Sequence, residues 1–140
     1  MSRRYFPVID IEPTVYTAIA KELRKRFTGI NVSEEYTDTP AKFPYVSIEE
    51  RDNYTAAEYL DSSSKERFCC VMYEVNVYSN KAGRKKTICR EIMGVIDEMF
   101  YKKNFTRISK SPVPNMENGT IYRLVARYRA ETDGTNIYRR

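Results

Sequence analysis

Lys81, Arg84, Lys85 and Lys86 crowd into SNKAGRKKTIC, where a long apolar run breaks at Ser79-Asn80, passes Gly83 and enters a predicted helix. Cations with no acid among them suit one kind of chemistry, the binding of an anion, either phosphate or carboxylate. Positive charge at a helix N-terminus opposes the macrodipole, at a cost of a few tenths of a kcal/mol up to about 1 per charge. That cost points to an anion outside the helix. A second basic group, Arg123, Arg127 and Arg129 in TIYRLVARYRAE, falls on alternate positions and so on one face of a predicted strand. Such a stripe can track a phosphate backbone or pair with carboxylates on a neighbouring subunit. Tyr54 and Tyr59, in a polar stretch, belong with arginine to the residue types enriched at protein interfaces.

Catalytic chemistry finds no comparable constellation. The chain has 0 histidines, which removes the commonest general base and the commonest metal ligand. Serines, threonines and cysteines have no partner base at a recognisable spacing, and neither GxSxG nor a phosphate loop or dinucleotide fingerprint occurs. Glu49-Glu50 and Asp97-Glu98 are adjacent pairs, which point apart on strands and splay on helices. They read as solvated faces. The 3 cysteines, Cys69, Cys70 and Cys89, are an odd count and read as buried thiols in a reducing cytosol rather than a disulfide framework or a zinc site. A non-enzymatic protein without cofactor or metal is expected.

The elements that position the basic groups follow from periodicity. A length of 140 residues fits a single domain spanning 1–140, with loose termini at 1–10 and 132–140. Residues 13–28 carry Val15, Ala18, Ile19, Leu23 and Phe27 at helical spacing, with Pro13 at the start and Gly29 as the stop. Short strands are predicted at 30–36 and 45–50, the second alternating Val46 and Ile48 with Tyr45, Ser47 and Glu49. The polar stretch 51–65 reads as a long hairpin loop, with 54–64 mobile in the isolated subunit and ordered on assembly.

The apolar strand 66–78 is bulky on both faces in its first half, the mark of a central strand. Ile88, Ile92, Val95, Ile96 and Met99 then form the core stripe of a second helix. A short strand at 105–109 is ended or held at an edge by Pro112 and Pro114. In the last strand, 120–131, Tyr122, Leu124, Ala126, Tyr128 and Ala130 face one way and Arg123, Val125, Arg127 and Arg129 the other. The order α-β-β-β-α-β-β predicts an α+β fold, a mostly antiparallel sheet with two helices packed on one face.

The net charge of +5 permits either a nucleic-acid or an acidic protein partner. No apolar run approaches a membrane span, and MSRRYFPVID lacks the core of a signal peptide, so a soluble cytoplasmic protein is expected. The first five elements match the order in double-stranded-RNA-binding domains, which also place lysines at the start of the second helix. Against that reading stand the chain's length, two further strands, and an Ile/Met stripe in place of an alanine-rich helix. Tyrosines spread through strands and loops, with an arginine-rich sheet face, fit a subunit of an assembly better.

Over about 120 residues the phrases VYTAIAKELRKRF, KFPYVSIEERDN, YEVNVYSNKAGRKKTICREIMGVIDEMF and FTRISKSPVPNMENGTIYRLVARYRA occur in an order that resembles the tail terminator, or tail completion, proteins of long-tailed bacteriophages. The resemblance implies an α+β subunit of a ring, typically a hexamer, in the tail and neck region of the virion, assembled in the bacterial host cytoplasm. Such a ring caps the tail tube, ends its polymerisation and provides the surface for head attachment. Its partners would be further copies of itself, the tail-tube protein and a head-completion or connector protein, with DNA passing through the lumen unread and no membrane involved. Another neck or head–tail connector protein is the nearest alternative. On physical grounds the protein-interface candidates are Arg84, Lys85, Lys86, Arg123, Arg127, Arg129, Tyr54 and Tyr59, and the sheet edge left by the short strands is a natural place for subunits to join.

Overall fold

Helix α1 (Glu12–Arg26) turns Val15, Ile19, Ala20 and Leu23 inward, and helix α2 (Lys85–Lys102) does the same with Cys89, Ile92, Met93, Ile96 and Phe100. Both stripes recur at three- and four-residue steps, so each helix has one face that can stay dry only against another layer. That layer is a mixed, mostly antiparallel sheet. The computed structural model describes residues 9–55, 68–115 and 118–139. Its strands are β1 (Asn31–Ser33), β2 (Tyr45–Thr55), β3 (Cys69–Ser79), β4 (Thr106–Pro112), β5 (Tyr122–Thr132) and β6 (Ile137–Tyr138). Their order across the sheet is β1-β2-β3-β5-β4, with β6 also paired to β5. Only the β1–β2 pair is parallel.

The α+β architecture is therefore as expected, with two helices on one face of the sheet and the element order α-β-β-β-α-β-β before the added β6. β3 is central, between β2 and β5. Its odd residues Cys69, Val71, Tyr73, Val75 and Val77 are buried in the core with Leu124, Ala126, Tyr128 and Ala130 of β5. Phe100 of α2 stacks on Tyr128 with ring centroids 4.2 Å apart and planes at 8°. Phe105 meets Phe100 edge-on at 5.0 Å, and Tyr73 meets Phe105 edge-on at 5.4 Å. The Tyr128 hydroxyl donates to Asp97 Oδ1 at 2.6 Å, and Arg107 of β4 bridges to Asp97 Oδ2 at 2.5 Å. One carboxylate thus ties α2 to two strands.

Three features differ from the sequence reading. β2 runs on to Thr55, five residues past the predicted end of the strand, because Asp52, Asn53, Tyr54 and Thr55 pair with Met72, Val71, Cys70 and Cys69 after a bulge at Arg51. Residues 56–67, with Tyr59 and most of the expected mobile loop, lie outside the described residues. The tail expected to be loose instead returns as β6, Ile137 and Tyr138 pairing with Thr132 and Glu131. Two-sided burial of β3 falls on its second half, where Glu74, Asn76 and Tyr78 are buried on the helix-free face, while Cys70 and Met72 are partly exposed. Residues 34–44 explain part of this. They cross that face as a strap, with Asn115 Nδ2 donating to Asp38 O at 2.9 Å and Tyr45 OH donating to Glu35 O at 3.1 Å.

Candidate interaction surface

The basic turn sits where β3 hands the chain to α2. Arg84 is the N-cap residue, its side chain makes no capping bond, and no acid occupies the first turn. Among its cations, Lys85 donates to the carbonyl of Thr120 at 3.2 Å, and Lys86 is exposed. Among the described residues Arg84 reaches only Glu91, at 3.9 Å, with both side chains more than half exposed. An ion pair that long and that wet contributes little. Beside it Thr87, Arg90, Glu91 and Lys110 line an open notch of about 350 Å³ between α2 and β4. Arg90 and Lys110 escaped the sequence reading because they are twenty residues apart on different elements and neither belongs to a charge run.

The arginine stripe lies on the other side of the sheet. Its alternation holds as predicted, with Tyr128 and Ala126 in the core and Arg127 and Arg129 exposed on the helix-free face. Arg123 donates from Nε to Asn76 Oδ1 at 2.9 Å, and its guanidinium lies 5.1 Å from the Tyr36 ring centroid and 5.8 Å from that of Tyr78. Arg127 places Nε and Nη2 at 3.2 and 3.1 Å from one oxygen of Glu74. Arg51 bonds Glu49 at 2.9 Å on the same face. Glu49, Asp52, Glu74 and Glu131 accompany Arg51, Arg123, Arg127 and Arg129 along these strands, so the face mixes acids with bases. Arg129 has no hydrogen bond or ion pair among the described residues. It stands with half-exposed Tyr54 at the end of the sheet far from Arg123, about 20 Å along the strand.

The predicted interface residues therefore fall into separate places. Arg84, Lys85 and Lys86 form one cluster. Arg123 and Arg127 belong to an internal network, and Arg129 and Tyr54 lie at the opposite end.

An acidic group went unread in the sequence. The carboxylates of Asp10, Glu12 and Glu50 lie within 4.8 Å of one another, a set that could face a cation. Each is already engaged by the fold: Asp10 accepts the Glu12 N–H at 3.2 Å, and Glu12 accepts the Glu50 N–H at 2.8 Å. Glu50 accepts the Tyr73 hydroxyl at 2.9 Å and Asn53 Nδ2 at 3.1 Å. Desolvation holds the Glu50 carboxyl above its ordinary pKa, against the lowering effect of those two donors. The group works as a clasp joining the start of α1 to β2.

Parts of both sheet edges resist strand addition, which bears on the expectation that subunits join there, although β1 covers only Tyr45–Ser47 and leaves Ile48–Thr55 of β2 without a strand on that side among the described residues. β1 is only 3 residues long, and its Val32 carbonyl already accepts the Tyr16 hydroxyl at 3.0 Å. On β4, Val113 donates its N–H to Arg123 O at 3.0 Å, so in the alternating ladder Pro112 turns its missing N–H outward. A bulge at Ile108 and the charge of Lys110 blunt the rest. Proline, bulges and lysine are the usual means of protecting an edge.

No protein-family model matches the chain, and no curated protein sequence matches it.

Proposed function

We propose that this chain is a tail terminator subunit of a long-tailed bacteriophage. It is a structural virion protein that forms a ring on the tail tube, ends tube polymerisation and offers a surface to the head. The ordered phrases from VYTAIAKELRKRF to the last strand carry this reading. The α+β architecture they imply is consistent with it, and so is the basic turn, which presents Arg84 and Lys86 to solvent. Pairing of Arg123 and Arg127 within the sheet weakens the nucleic-acid alternative, because those charges already have partners.

The test is assembly. Light scattering and electron microscopy of the purified chain with tail-tube protein should show capped tubes of limited length bearing a terminal ring. A chain that stays monomeric beside tubes that grow without limit would overturn the proposal.

A further inference from the structure

We propose that the shoulder between α2 and β4, formed by Arg84, Thr87, Arg90 and Lys110 around Glu91, docks an acidic segment of a partner protein. The proposal rests on the assembly reading for which protein that is, and on the geometry for where it binds.

The placement argues for it. Arg84 and Glu91 are two helical turns apart on α2, Thr87 lies between them, and Lys110 enters from β4 to complete the notch with Arg90. Lys110 pairs with Ala126, a core-facing residue, so its side chain leaves β4 on the helix side of the sheet. Arg84, Arg90 and Lys110 thus surround one exposed carboxylate, which Arg84 approaches to 3.9 Å, next to a helix start whose first turn holds no acid. Added carboxylates would restore the balance, and the Thr87 hydroxyl offers them a neutral donor.

Protein carboxylates fit better than a nucleic-acid backbone. A duplex presents a long, regular line of phosphates and rewards an extended basic surface. Here the other arginine group lies on the opposite face of the sheet, with Arg123 and Arg127 already held by Asn76 and Glu74. The surface is short, local and mixed, as a protein-docking site is.

The probes are a hexaglutamate peptide and a short DNA duplex, titrated into the isotope-labelled full chain and followed by amide chemical shifts. The peptide should move residues 84–91 and 108–112, and Arg90→Glu with Lys110→Glu should weaken it about tenfold. Arg90→Gln with Lys110→Gln should give a smaller loss in the same direction. Lys21→Glu with Lys25→Glu, an equal charge change on exposed positions of α1, should leave binding unchanged. An equal loss in the α1 pair, shifts elsewhere, or tighter binding of the duplex to the same residues would overturn the proposal. Tube capping separates the two claims. Peptide binding here without capping removes the assembly reading alone, whereas capping that survives Arg90→Glu with Lys110→Glu removes the docking surface alone.

Discussion

Arg127 lays two of its nitrogens against one oxygen of Glu74, at 3.2 and 3.1 Å, on the sheet face opposite α1 and α2. Glu74 is nevertheless only 7% exposed. The arginine of β5 serves as a lid for the acid of β3, with Arg51 and Asn76 close by. A residue that looks in the sequence like a surface cation is part of what keeps a nearly buried charge in place.

Removing one partner should therefore cost more than removing both. Arg127→Met leaves the Glu74 carboxylate buried without its main donor and should destabilise the chain by about 1–3 kcal/mol. Adding Glu74→Met should recover part of that loss, since an apolar pair of similar shape needs no donor. Urea unfolding midpoints of the two single variants and the double variant measure the coupling.

Phe100 is the keystone of the aromatic cluster, touching Tyr128, Tyr73 and Phe105 from α2. Phe100→Ala should cost about 3–5 kcal/mol, because three rigid rings cannot collapse into the space it leaves. Thermal melting followed by circular dichroism reads it. A loss below about 1 kcal/mol would mean that the cluster repacks freely.

Acid should strengthen the Glu50 clasp, whereas an ion-paired carboxylate responds in the opposite sense. The folded-state pKa of Glu50 is raised, mainly by desolvation. As pH climbs through the unfolded value the unfolded chain loses this proton first, so Glu50 lowers stability progressively until the pH exceeds the folded value. Below the unfolded value the penalty is absent. Glu50→Gln keeps an acceptor for Tyr73 and should flatten stability across that acidic window while raising it at neutral pH. Denaturant midpoints collected from pH 3 to pH 7 for both proteins test the sign.

The thiols should differ sharply in reactivity. Cys69 and Cys89 are both 0% exposed, and burial pushes the Cys89 thiol up to about 12, whereas Cys70 is partly exposed. A chromogenic disulfide reagent should titrate a single thiol in the native chain, and all 3 after denaturation. Mass spectrometry should place the native label on Cys70. Labelling of Cys89 at a comparable rate would show that α2 opens readily.

What the sequence revealed was whatever a single element could display through its own periodicity. The last strand was legible because Tyr122 to Ala130 alternate between a dry face and a wet one, and α2 because Ile92 and Ile96 recur at helical steps, although Ile88, Val95 and Met99 of the predicted stripe are only partly buried and Cys89, Met93 and Phe100 complete the buried face. The extension of β2 was not, since Arg51 to Thr55 carry polar side chains and are held by backbone pairing with β3, which leaves no apolar signature. The Glu12–Glu50 contact joins residues 38 apart. Only the packing of α1 beside β2 brings them together. Of the candidate site, the basic turn could be read because its charges are consecutive. The notch could not, because Arg90 and Lys110 come to it from opposite sides of a helix–strand seam.

The blunted edges of β1 and β4 also govern how this protein behaves when it is concentrated. Where the sheet ends in Pro112 and a bulge, β4 offers a poor template for a neighbour's backbone, while the three-residue β1 shields only the start of β2. At the protected positions association is left to side-chain recognition, which is reversible and can reject a wrong angle. Such a subunit can accumulate at high concentration and still wait for the correct geometry before it commits.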